Sequence, residues 1–311
     1  MYQHRRIISF LAIAFGYTWL LAGIGAFFGI RATSGLSYMA LAAACMFGPA
    51  LAAIVQQRLI DRGPWAGLGL QLAGTNWKML GATALLGITI VPLILLVIHL
   101  VGDRMGIAAF GHVSVTSERV ALSVADMMAQ MGQGRSGGAI SDVMQQMPAG
   151  LVLFAGLLSA VFSAFTFNLP FMLGEELGWR GYLYQATVSW KPQRRVLFTG
   201  VVWGLWHAPL ILMGHNYPEY PIAGVGLMVV FCTLLAFLFD WSRARSGSVW
   251  SACVLHGIIN GSAGLFALFV WGGHPLVASP VGVAGFTALV ILAMAVFLLD
   301  AKYRGTFGHR H

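Results

Sequence analysis

Six strongly polar residues lie where a membrane span should hold none. Glu175, Glu176 and Arg180 occur in GEELGWRG, His207 in GVVWGLWHAPL, and His256 and Asn260 in CVLHGIINGSAG, each within or at the end of an apolar run. An ionisable group inside a bilayer costs roughly 2.5–3.5 kcal/mol on insertion scales. Two acids, a guanidinium, two imidazoles and an amide therefore point to an internal, partly wet cavity that they share. Two acids with two histidines can move protons, so the first expectation is an intramembrane enzyme.

Helical spacing divides the roles. Glu176 and Arg180 are four apart and share a face, where they can pair. Glu175 points about 100° away around the same helix and is left for the cavity. His256 and Asn260, also four apart, present an imidazole and a carboxamide together. Both can donate to an oxygen that gains negative charge. His207 is alone in its run, and its depth is what gives it weight. At ~1.5 Å per residue it lies roughly 18 Å from Arg195, His256 lies roughly 12 Å from Ser248, and Glu175 roughly 21 Å from Ser189 if its helix runs on. Glycine pairs at small-xxx-small spacing accompany each group: Gly174 and Gly178, Gly200 and Gly204, Gly257 and Gly261. Such pairs let helix backbones approach closely.

The elements that must position these groups are membrane helices. The chain has 311 residues, 58% hydrophobic and 9% charged, where a soluble domain carries about 25% charged residues. The fold class expected is all-α and polytopic, with about eight transmembrane helices around an intramembrane catalytic cavity: 7–30, 38–57, 79–102, 150–174 (continuing as helix to about 189), 195–213, 222–240, 248–271 and 281–300. Three parts follow: helices one to three with a long outer loop (1–149), a catalytic core (150–271), and a last helix with a basic tail (272–311). Of the 18 Lys and Arg residues, thirteen fall on one side and four on the other. The positive-inside rule then puts both termini in the cytoplasm, with access to the site from that side. The net charge of +8 is written in these clusters, so no nucleic-acid partner is expected. The lipid bilayer is the expected partner. The cysteines Cys45, Cys232 and Cys253 lie in apolar runs and suggest no disulfide framework. In the loop 103–149, SERVALSVADMMAQM reads as an amphipathic helix started by Thr116 or Ser117. The stretch 62–78 reads as chain lying at the interface. Asp240 and Asp300 read as interface charges, and His4, His99, His112, His215, His274, His309 and His311 have no partner that spacing can name.

In order, Glu175-Glu176-x-x-x-Arg180, Trp203-x-x-x-His207 and His256-x-x-x-Asn260 resemble the CPBP family of CAAX proteases and bacteriocin-processing proteins, whose eukaryotic members are the type II CAAX prenyl endopeptidases. The resemblance covers about 174–261. Trp203 stands where that family usually has Phe. The resemblance implies a membrane-embedded endopeptidase in which Glu175 and His207 activate water, His256 and Asn260 hold the oxyanion, and Glu176 and Arg180 support the site. The family has also been viewed as metal-dependent, and Glu175, His207 and His256 with an open position suit zinc. A metal-free mechanism is preferred here, because Asn260 suits an oxyanion better than a metal. The implied substrate is a membrane-associated peptide or protein. The compact chain reads as a multi-pass protein of a bacterial inner membrane. A transporter or proton relay would use the same buried groups, but no repeated halves are visible. A noncatalytic immunity or scaffold protein of the same fold would not need the full set of polar residues.

Overall fold

The computed structural model describes residues 2–130 and 134–308, so His309, Arg310 and His311 lie outside the described residues. The elements run α1 (Tyr2–Phe27), α2 (Leu36–Met46), α3 (Gly48–Val55), α4 (Trp77–Ile98), β1 (His112–Val113), α5 (Ser117–Gln130), α6 (Gly134–Gln146), α7 (Ala149–Phe165), α8 (Leu169–Glu176), α9 (Tyr184–Ala186), α10 (Pro192–Trp206), α11 (Ala208–Leu212), α12 (Pro221–Ser246), α13 (Val249–Phe269), β2 (Val270–Trp271), α14 (Val283–Leu299) and α15 (Ala301–Gly308). Apart from one antiparallel pair, His112 opposite Trp271 and Val113 opposite Val270, the architecture is all-α, as a polytopic membrane protein requires.

Each expected apolar segment is helical, but the count of spans differs. Among the described residues five helices are long and apolar enough to cross a bilayer: Gln3–Phe27, Leu36–Ile60, Trp77–Arg104, Pro221–Ser246 and Val249–Phe269. Two sharply bent pairs, Gly138–Gln146 with Ala149–Phe165 and Val283–Leu299 with Ala301–Gly308, bring the number to seven. The expected span 195–213 is instead broken at His207, between α10 and α11. The expected continuous helix 150–189 is broken too. Its backbone leaves the helix at 166–168, and Asn168 donates through Nδ2 to the carbonyl of Gly257 at 3.1 Å. The chain then re-enters helix as α8 and passes into a π-helical stretch, Leu177–Leu183, that carries Arg180. The depth count that assumed an unbroken helix for Glu175 is therefore replaced by this geometry.

The glycine spacings mark real helix crossings. A Cβ at Gly257 would lie 2.8 Å from Ala164 Cα and one at Gly261 3.1 Å from Ala160 Cα, so α13 and α7 are in backbone contact. Likewise a Cβ at Gly200 or Gly204 of α10 would collide with the backbone of Thr233 or Val229 of α12, and one at Gly174 or Gly178 with Met46 or Pro49. Close approach of this kind is what small residues permit between membrane helices. The loop after α4 holds the expected amphipathic helix, α5, whose first turn is closed by Thr116 Oγ1 accepting from Arg119 N at 3.2 Å. A second helix, α6, folds back on it, and Ser141 Oγ donates to the carbonyl of Ala121 at 3.0 Å.

At the opposite end, the segment 62–76 does more than lie at an interface. Gly69 O accepts from Val249 N at 3.0 Å, Leu70 O accepts from Trp250 Nε1 at 2.9 Å, and Gly67 O accepts from Arg243 at 3.2 Å. Arg243 also donates to the carbonyl of Arg180 at 3.0 Å. These bonds tie the segment to the α12–α13 turn, below the helices that carry the polar groups.

Candidate active site

Glu175, His207, His256 and Asn260, from α8, the α10–α11 junction and α13, line one cavity of about 170 Å³. Glu176 and Arg180 lie behind its wall. Arg180 Nη1 donates to both Glu176 carboxylate oxygens, at 3.0 and 3.1 Å. The guanidinium is clamped between the faces of Trp203 and Phe239, its carbon 4.2 and 4.0 Å from the ring centroids. Its buried Nη2 has no hydrogen-bond partner among the described residues. The aromatic faces supply the negative surface that hydrogen bonds do not.

His256 belongs to both sides of that wall. Its Nδ1 lies 2.8 Å from Glu176 Oε1, and a carboxylate only accepts. The Nδ1 proton is therefore fixed toward Glu176 and Nε2 is left for the cavity. The spacing argument, which assigned Glu176 only to Arg180, had no means of seeing this cross-helix bond. His207 is oriented in a similar way by its own helix: Nδ1 donates to the carbonyl of Trp203 at 2.8 Å, so Nε2 carries a lone pair toward the cavity. Because His207 caps α10, the helix break and the presented imidazole coincide.

Glu175 is 3% exposed, and one of its oxygens accepts from Trp203 Nε1 at 3.0 Å. A phenylalanine at 203 could not make this bond, so the Trp is more than a conserved-size aromatic: it fixes the carboxylate and leaves the second oxygen free. Asn260 faces the cavity with one weak contact, Nδ2 to Met172 Sδ at 3.7 Å.

Each imidazole has Nδ1 committed and leaves Nε2 toward the cavity, an arrangement that metal-ligating histidines also take, and Glu175 keeps one oxygen beyond its bond from Trp203. Among the described residues no group of three His, Cys, Asp or Glu side chains is placed to share a metal.

Three other expectations find their place. Asp240 and Asp300 are structural: Asp240 takes a bidentate bond from Arg195 at 2.6 and 3.0 Å and the hydroxyl of Tyr303 at 2.7 Å, and Asp300 takes Arg245 at 2.6 Å. His99 and His112 both bond Asp103, at 3.1 and 2.8 Å, outside the cavity. His215, which spacing could pair with nothing, lines the cavity beside Asn216. The loop 213–216 brings it there, and no periodicity in the sequence signals that fold-back. The cavity thus reaches toward this loop, the end opposite the packed 62–76 segment.

Residues 150–262 match the family described as type II CAAX prenyl endopeptidase Rce1-like. Over 158 residues, 49% of this chain, the sequence is 27% identical to CAAX prenyl protease 2 of Methanococcus maripaludis. That alignment covers 50% of the relative, so the chain spans about half the length of the curated relative it matches. The matched segment holds every residue from Glu175 to Asn260 and lies within the expected core, 150–271.

Proposed function

We propose that this chain, whose segment 150–262 matches the Rce1-like CAAX endopeptidase family, is an intramembrane endopeptidase that hydrolyses a peptide bond of a membrane-associated substrate without a metal. The observation that carries the reading is the meeting of four groups from separate helices on one cavity, with the charged pair Glu176–Arg180 set behind it. Glu175 and His207 activate the attacking water: Glu175 takes one of its protons, His207 Nε2 accepts a hydrogen bond from it, and the proton taken is returned to the amine nitrogen as the C–N bond breaks. Fixing Glu175 through Trp203 and His207 through its own helix leaves one basic atom of each toward that water, which is the preorganisation general-base catalysis needs.

Asn260 Nδ2 and His256 serve the oxyanion of the tetrahedral intermediate. Because His256 Nδ1 is committed to Glu176, its Nε2 can donate only when the ring is an imidazolium. A neutral His256 would offer an acceptor instead, and would join the bases rather than the oxyanion site.

The decisive measurement is peptide cleavage by purified protein with Glu175→Gln beside wild type. Loss of cleavage in a folded variant is expected, and full activity refutes the mechanism. Elemental analysis of active, chelator-washed protein tests the metal-free reading: one zinc per chain, with activity lost on removal and restored on return, overturns it. The orientation proposed, both termini in the cytoplasm of a bacterial inner membrane, rests on the charge bias. Single cysteines in a background without the three native ones should label at the exposed position of Arg194 only from the cytoplasm and at Asn216 only from outside. Reversed labelling inverts the proposed topology.

A further inference from the structure

The catalytic cavity does not end at the catalytic groups. A second chamber of about 270 Å³ continues from it, and six residues, including His215, Asn216 and Asn260, face both spaces. Beyond them the chamber is walled by Ile90 and Ile94 of α4, Ala263 of α13 and Leu289 of α14. An apolar cavity of roughly 150 Å³ takes up a benzene molecule, so this one has room for an aromatic or branched aliphatic side chain. Sharing Asn260 puts it directly beside the proposed oxyanion site.

The threshold is polar and carries backbone strain. Asn216 is held at φ 59°, two residues after Gly214 at φ 99°. A left-handed residue other than glycine is uncommon, and such conformations gather at ligand-binding positions. The His215 ring rests against Tyr38, with centroids 5.9 Å apart. Neither the His215 ring nor the Asn216 amide makes a hydrogen bond among the described residues. Together they offer donors and acceptors at the point where the polar cavity gives way to the apolar chamber. A peptide lying there needs partners for its own backbone groups, since buried ones left unpaired are costly.

We propose that the second chamber is a substrate subsite: it takes one bulky apolar side chain next to the scissile bond, while His215 and Asn216 hydrogen-bond the adjoining substrate backbone. The inference rests on the endopeptidase reading and adds to it the residues that choose where the chain is cut.

The test is a cleavage profile of purified full-length protein in detergent on a pool of randomised peptides, with cut sites read by mass spectrometry. Wild type should favour large apolar residues at one position flanking the cut. Ala263→Phe fills the chamber and should move that one preference toward Gly and Ala by about tenfold. Leu289→Ala enlarges it and should move the same preference toward Phe and Trp. Because the two changes act in opposite directions, either folded variant decides, with melting temperature as the check on folding. Asn216→Gly keeps the left-handed backbone and removes only the amide; it should raise KM about fivefold, the worth of one hydrogen bond, with kcat little changed. Profiles identical to wild type, or cleavage lost evenly at every position, overturn the subsite. If wild type cuts no peptide in the pool, the endopeptidase reading itself fails and the subsite falls with it. A wild type that cuts, with unshifted variants, leaves that reading standing and removes only the subsite.

Discussion

The two ends of the bundle handle buried charge in opposite ways. Near the 243–248 turn each charge sits in a closed set of partners. Arg195 and Asp240 are bonded twice and joined by Tyr303, Arg245 meets Asp300, which also takes Trp241 Nε1 at 3.0 Å, and Asp61 takes both Arg6 and the hydroxyl of Tyr182. In the cavity the opposite holds. Glu175, His207 and His256 each have one atom tied down and another facing the cavity without a partner, while Asn260 has one weak contact to Met172. A buried polar group left unpaired costs free energy, so a protein keeps such atoms only where something else is to fill them. Fully paired charge reads as structure and half-paired charge as chemistry.

The sharpest way to break this contrast is at Glu175. Glu175→Gln should lower turnover by about 10²–10⁴-fold, the range for a general base, with little change in melting temperature. His207→Ala should behave alike. At the other end, Arg195→Ala leaves the Asp240 charge buried without its bidentate partner, and should cost ~3–5 kcal/mol of stability while turnover per folded molecule stays near wild type. If the two variants exchange phenotypes, the division between ends is wrong.

Glu176 and Arg180 stand between these extremes. Arg180→Ala and Glu176→Ala should each cost both stability and activity. The double change Glu176→Gln/Arg180→Met should recover part of the stability lost by either single variant, as paired removal often does, measured by melting in detergent. It should not recover activity, because the bond that orients His256 is still missing. Full recovery of turnover would show that His256 needs no carboxylate behind it. The smallest effect is expected at Trp203→Phe. It removes one charge-assisted hydrogen bond from Glu175 and should reduce kcat by about tenfold, the lower end for a bond to a charged group. An unchanged kcat would mean that Glu175 is held by its burial alone.

Much of the site is legible in the chain because its signals are local. Ionisable residues in apolar runs stand out against the cost of burying them, and a four-residue spacing fixes a shared helix face wherever the helix is regular. That is why Glu176–Arg180 and the His256–Asn260 face could be read directly, and why the six glycines marked the crossings. The readings that failed were long-range. A continuous helix through 150–189 was the simplest extrapolation of an apolar run, but the run does not encode that Asn168 finds Gly257 and lets the backbone break. His215 is three residues beyond the end of α11 at Leu212, where no periodicity says which way a loop returns.

The sequence by itself determined the all-α membrane class, the helix crossings and the identity of the groups that meet, because hydropathy and helical period act through residues close in the chain. Only the tertiary structure decided that His256 commits its Nδ1 to Glu176, that Trp203 holds Glu175, that His215 and Asn216 border a second chamber, and that the 62–76 segment is bonded to the α12–α13 turn. Each of these depends on side chains from different helices coming within hydrogen-bonding or packing distance. That approach is set by the packing of the whole bundle and by no stretch of chain alone.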